Sequence, residues 1–83
     1  MNDRNKLLSQ ILIVAEEYDL EIININFTNN VLKDAVILSY KYDHSKFLVI
    51  YSYEKDNIYE VNNFASYFRN DLDEKIKGGI IND

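Results

Sequence analysis

The sequence predicts an α+β fold: a two-layer sandwich in which a helix, a three-stranded antiparallel β-meander and a second helix (αβββα) form one small domain over residues 1–83. Three observations carry that expectation. Residues 35–54, AVILSYKYDHSKFLVIYSYE, contain two consecutive segments with period-two alternation, as a hairpin with one buried face requires. A third alternating run, LEIININF, precedes them. Stretches with apolar residues at helical spacing flank the whole.

Asp3 suits the N-cap of a helix reaching to about Tyr18. Leu7, Leu8, Ile11, Leu12, Val14, Ala15 and Tyr18 make its apolar stripe, with Ser9, Gln10, Glu16 and Glu17 outside it and Ile13 opposite. The first strand, about 21–27, places Ile23, Ile25 and Phe27 on one face and Leu20, Ile22, Asn24 and Asn26 on the other. Thr28-Asn29-Asn30 is the next turn, and residues 31–34 either extend the hairpin or bulge. In strands at about 35–42 and 47–54, one face collects Val36, Leu38, Tyr40 and Tyr42 beside Phe47, Val49, Tyr51 and Tyr53. A turn centred on His44-Ser45 would pair Tyr42 with Phe47 and Tyr40 with Val49, and set Asp43 opposite Lys46.

Lys55-Asp56-Asn57 closes the third strand. The second helix begins between Ile58 and Asn63, with Asn62 or Asn63 as cap. It buries Val61, Phe64, Ala65, Phe68, Leu72 and Ile76, and ends near Lys77, where Lys75, Lys77, Gly78 and Gly79 suit a C-terminus. Residues 80–83 read as a frayed tail.

Composition limits the chemistry. Without cysteine there are no disulfides, thiolate metal sites or cysteine nucleophile. The only apolar run near the start, residues 11–15, is too short for a signal or a span, so a cytoplasmic protein without membrane contact is expected. The net charge is −5, from 14 acidic against 9 basic side chains, and the basic ones are scattered singly; direct nucleic-acid binding is therefore not expected. The only two glycines lie at the second helix's end, which leaves no phosphate-binding loop. Asp43, His44 and Ser45 are adjacent on a turn and cannot converge on one reacting atom as a triad does. Asp71-Leu72-Asp73-Glu74 has Ile76 where a calcium loop needs glycine. No cofactor, no metal and no catalysis are the expectation.

Two acidic clusters remain, Glu16/Glu17/Asp19/Glu21 and Asp71/Asp73/Glu74. Carboxylates at the carboxyl end of a helix oppose its macrodipole, which makes the first cluster either a solvated helix end or an anionic recognition patch. Four tyrosines of the hairpin pave its core face, or serve with Tyr59 and Tyr67 as a contact surface. The second sheet face carries Ile22, Ile37, Leu48 and Ile50, too apolar for an open surface. It should meet a second copy, another protein or one of the helices.

The expected function is a small non-catalytic protein-binding module that blocks a basic partner, possibly at a nucleic-acid site, through Glu16, Glu17, Asp19, Glu21, Tyr59, Tyr67, Asp71, Asp73 and Glu74. In its acidity and order of elements the chain resembles phage-encoded inhibitors of bacterial defence nucleases, including some anti-CRISPR proteins, and bacterial toxin-immunity proteins. That resemblance implies an inhibitor or immunity-type protein of phage or accessory-gene kind. The alternative is a homo-oligomeric structural or ligand-sequestering protein that uses Ile22, Ile37, Leu48 and Ile50 as subunit contact.

Overall fold

The computed structural model describes residues 3–29, 31, 33–54 and 57–78. The expected order is present: helix α1 (Asp3–Tyr18), strands β1 (Glu21–Asn29), β2 (Lys33–Tyr42) and β3 (Ser45–Glu54), then α2 (Ile58–Asn62) and α3 (Phe64–Lys77). The strands form one antiparallel sheet in the order β1-β2-β3, so β1 and β3 are both edges. The proposed roles of Asn30, Lys55, Asp56, Gly79 and the 80–83 tail lie outside the described residues.

Both long helices cover the same sheet face, the one paved by the hairpin tyrosines and valines. The core joins Leu7, Ile11 and Val14 of α1 to Val36, Leu38, Tyr40 and Tyr53 of the sheet and to Val61, Phe64, Phe68 and Leu72. Its centre is aromatic. Tyr51 lies 5.2 Å from Phe64 and 5.8 Å from Phe68, and Tyr40 lies 5.9 Å from Phe68, all edge-on, while Tyr40 stacks on Phe47 at 5.5 Å. The α1 stripe is narrower than its wheel suggests. Leu12, at the stripe's margin, is exposed like Ile13, and Asp3 is the first helical residue.

Three local readings are corrected. Asp43 and His44 both have positive φ, 49° and 71°, and form a two-residue hairpin loop closed by Tyr42 and Ser45. Such a loop follows the right-handed twist of the strands, and Asp is among the residues that tolerate the left-handed region. The register is therefore two residues from the expected one: Tyr40 pairs with Phe47, Leu38 with Val49 and Val36 with Tyr51, and Lys46 faces Lys41 rather than Asp43. Because side chains alternate every two residues, the shift leaves the buried face unchanged.

In β1 the pairing slips between Ile22, opposite Tyr40, and Asn24, opposite Ser39. Ile23 is the extra residue of a β-bulge. The bulge turns Ile22 onto the core face with Ile25 and Phe27, where Leu20 also packs, and turns Ile23 out to 49% exposure. Ile22 is thereby removed from the open face, and Ile23 takes its place.

The second predicted helix is two. Asn57 caps α2 by accepting from the Glu60 N–H at 3.1 Å. Asn63 breaks the run but makes no side-chain cap for α3; its amide donates back to the Tyr59 carbonyl. Gln10 supplies what Asn63 does not. From α1, its Oε1 accepts from the Ala65 N–H (2.8 Å) and its Nε2 donates to the Val61 carbonyl (2.7 Å), satisfying an orphan donor at the start of α3 and a carbonyl of α2. Gln10→Ala leaves both half-buried groups without that partner. A loss of about 1–3 kcal/mol is expected by urea denaturation, whereas a loss near zero would make Gln10 an ordinary surface residue.

Candidate functional site: an acidic end beside an open sheet edge

The α1–α3 contacts fix how the acidic segments meet. Gln10 reaches Ala65, Glu17 reaches Arg69 and Tyr18 reaches Asp73, so the two helices run parallel and point their carboxyl ends the same way. The hairpin tip lies at that end. Tyr18, Asp19, Tyr42 and Asp43 line one shallow groove of about 290 Å³ there. Asp19, at φ 56°, makes the turn out of α1; Asp43 makes the turn of the hairpin. The C-terminus of α1, which has no basic residue in its last turn, and the carboxyl groups of Asp19 and Asp43 thus meet at one groove, with Asp73 on the Tyr18 hydroxyl.

The predicted acidic residues divide by what they touch. Glu17 holds Arg69 through two hydrogen bonds of 2.7 and 2.9 Å, which lower the Glu17 pKa; this pair consumes a charge expected to face a partner. Asp73 accepts from the Tyr18 hydroxyl at 2.6 Å, and that bond leads the causes that push the Tyr18 pKa up to about 12. Asp73 stays at the surface with its position fixed. Asp71 points the other way, accepting from the Tyr51 hydroxyl (2.7 Å) and from Lys75 Nζ (2.9 Å). It belongs to the fold's interior wiring. Glu16, Asp19, Glu21 and Glu74 are exposed.

Around Asp71 the charges are mutually arranged. Lys75 Nζ also donates to the Tyr40 hydroxyl (3.2 Å) and lies 5.5 Å from the Phe47 ring centroid. Burial pushes the Lys75 ammonium down, but hydrogen bonds to Asp71 and Tyr40 outweigh it and its pKa is raised. Burial and the bond to Asp71 push Tyr51 far up.

Tyr59 and Tyr67 stand apart from the acidic end. Tyr67 joins Phe64, Glu60 and residues Ile50, Tyr51, Ser52 and Tyr53 around a groove of about 340 Å³ between α3 and the β3 edge. Tyr59, on α2, is 69% exposed. The open sheet face shows Leu48 at 67% and Ile50 at 63%, with Ile37 half-buried between its neighbours. Neither helix covers it.

Sequence reasoning missed Asp43, Tyr18 and Tyr42 as site residues. Their convergence depends on the parallel course of α1 and α3, which no local pattern states. Among the described residues, no group of three His, Cys, Asp or Glu is placed to hold a metal ion, and no helix is long and apolar enough to cross a membrane. No protein-family model, curated protein or solved structure matches this chain.

Proposed function

We propose that the chain is a small acidic, non-catalytic protein-binding module of inhibitor or immunity type, acting in the cytoplasm on a basic protein surface, including one that binds nucleic acid. The supporting observation is the groove at the acidic end, lined by Tyr18, Asp19, Tyr42 and Asp43, with Asp73 bonded to the Tyr18 hydroxyl. A lysine or arginine entering it meets the carboxyl groups of Asp19 and Asp43 beside two aromatic rings, a combination suited to a guanidinium or ammonium. Glu16, Glu21 and Glu74 extend the negative field around that entry and steer a basic partner toward it. In this reading Glu17 and Asp71 maintain the shape of the surface, and Tyr59 and Tyr67 lie outside the contact.

The test is a variant carrying Asp19→Asn, Asp43→Asn and Asp73→Asn. Asparagine accepts the positive φ at the first two positions and keeps an acceptor for Tyr18 at the third, so the charges go while the fold stays. Tagged wild-type protein should capture a basic partner from host lysate that salt releases. The variant should bind that partner at least about tenfold more weakly, with a shallower salt dependence. Equal affinity for the two proteins would remove the groove from the interface.

A further inference from the structure

The free edge of β3 has a charge pattern that matches itself in reverse. We propose that two copies of this chain associate through it, pairing β3 with β3 antiparallel about a two-fold axis at Ile50 to make one continuous six-stranded sheet. The inference does not depend on the acidic groove, which lies at the hairpin tip.

The backbone defines which groups are open. A two-residue loop makes Tyr42 and Ser45 a hydrogen-bonded pair, so Phe47, Val49, Tyr51 and Tyr53 bond to β2 and the intervening residues turn their N–H and C=O outward. Glu54 confirms the alternation: its N–H donates to Glu60 Oε2 at 2.7 Å, and its carbonyl accepts from the Asn57 N–H at 3.2 Å. The edge is thus closed at Glu54. It is open at Leu48, Ile50 and Ser52, the segment that an axis at Ile50 pairs with itself: Leu48 with Ser52 of the second copy, and Ile50 with Ile50.

Side chains select that register. With the axis at Ile50, Lys46 of each copy comes to the level of Glu54 of the other and meets it by side chains alone, since the Glu54 backbone is already bonded to Glu60 and Asn57. Within a single copy Lys46 stands opposite the like charge of Lys41 while Glu54 stands opposite Lys33, and Glu54 from a second copy offsets the unfavourable lysine pair. Sliding the axis to Val49 would set Lys46 against Ser52 and lose the match. Ile50 pairs with Ile37 inside the copy, so dimerisation creates an unbroken row of four isoleucines, Ile37 and Ile50 from each side. An axis perpendicular to the sheet keeps both helical layers on one side, with the exposed Tyr67 beside the seam.

Charge exchange tests this. Lys46→Glu and Glu54→Lys each place like charges opposite one another in their own homodimers, but a mixture of the two variants restores opposite charges at both ends. Sedimentation equilibrium at low salt should show a wild-type dimer. Each single variant should dissociate at least about tenfold more readily, and the equimolar mixture should recover the wild-type constant as a heterodimer. Circular dichroism of each variant checks that it folds. A wild-type monomer up to millimolar concentration overturns the proposal and leaves the edge to a strand of another protein. Single variants that dimerise as tightly as wild type, or a mixture no tighter than its components, overturn the register and with it the proposal.

Discussion

Phe68→Ala is expected to remove about 3–5 kcal/mol of stability, the largest loss from any single truncation considered for this fold. Phe68 is fully buried and stands between the layers. Its ring lies 5.9 Å from Tyr40, 5.8 Å from Tyr51 and 6.0 Å from Phe64, so three aromatic contacts converge on it. The hole cannot close easily, because Tyr40 and Tyr51 are held at their hydroxyls by Lys75 and Asp71 and cannot tilt into it without breaking those bonds. A chain of this length has roughly 4–12 kcal/mol in total, so the variant should be marginal at room temperature. With a urea dependence of about 1 kcal/mol/M, the midpoint should fall by about 3 M or more. A loss under about 1 kcal/mol would mean that the aromatic cluster does not form the centre of the core.

Asp71→Ala should cost about 1–3 kcal/mol at neutral pH, through a different route. The substitution takes away the acceptor of the Tyr51 hydroxyl and the counter-ion of Lys75, two groups that remain half-buried. Burial raises the Asp71 pKa, but hydrogen bonds from Tyr51 and Lys75 and the Lys75 charge more than reverse this, and the carboxyl sits below its ordinary 3.8. A carboxyl depressed by folding contributes stability that is complete above the ordinary value and disappears as pH falls through the folded one. The difference between the urea midpoints of wild type and variant should therefore be smaller at pH 3 than at pH 7. Because Lys75→Met removes the orphaned charge, the double variant should regain part of the loss at pH 7. If the midpoints differ equally at both pH values, the effect of Asp71 is not electrostatic.

Much of the architecture was readable because burial repeats along the sequence. The alternation in residues 35–54 identified the core face of the sheet, and the stripe Val61, Phe64, Phe68 and Leu72 identified the buried side of the last helices. Period two also explains the register error, since pairing Tyr40 with Phe47 or with Val49 buries the same side chains and only the loop distinguishes them. LEIININF was ambiguous for a related reason: with isoleucine at 22, 23 and 25, either phase gives an apolar face, and the bulge at Ile23 changes phase midway. Asn63 did mark a break, although α3 receives its first-turn partner from Gln10, 55 residues away, and no sequence window spans that distance.

The acidic residues were legible as clusters but not as roles. Asp71 and Lys75 at i,i+4 could have been read as a helical ion pair. Glu17 with Arg69 and Tyr18 with Asp73 could not, because each pair depends on which turns of two distant helices lie side by side. The groove lined by Tyr18, Asp19, Tyr42 and Asp43 is likewise a property of the assembled layers.

That same pairing of α1 with α3 has a kinetic consequence. Every strand of the sheet bonds to its neighbour in sequence, whereas the bonds that close the helical layer span 51 to 55 residues. Loop closure grows only slowly with length, about 0.6 kcal/mol per doubling, so this long reach takes little from the final stability. It weighs instead on the barrier, since the search that unites α1 with α3 must succeed before any of its bonds contributes. The meander offers the short route and the helix pair the long one, so the contacts between α1 and α3 are expected to form later than the hairpins.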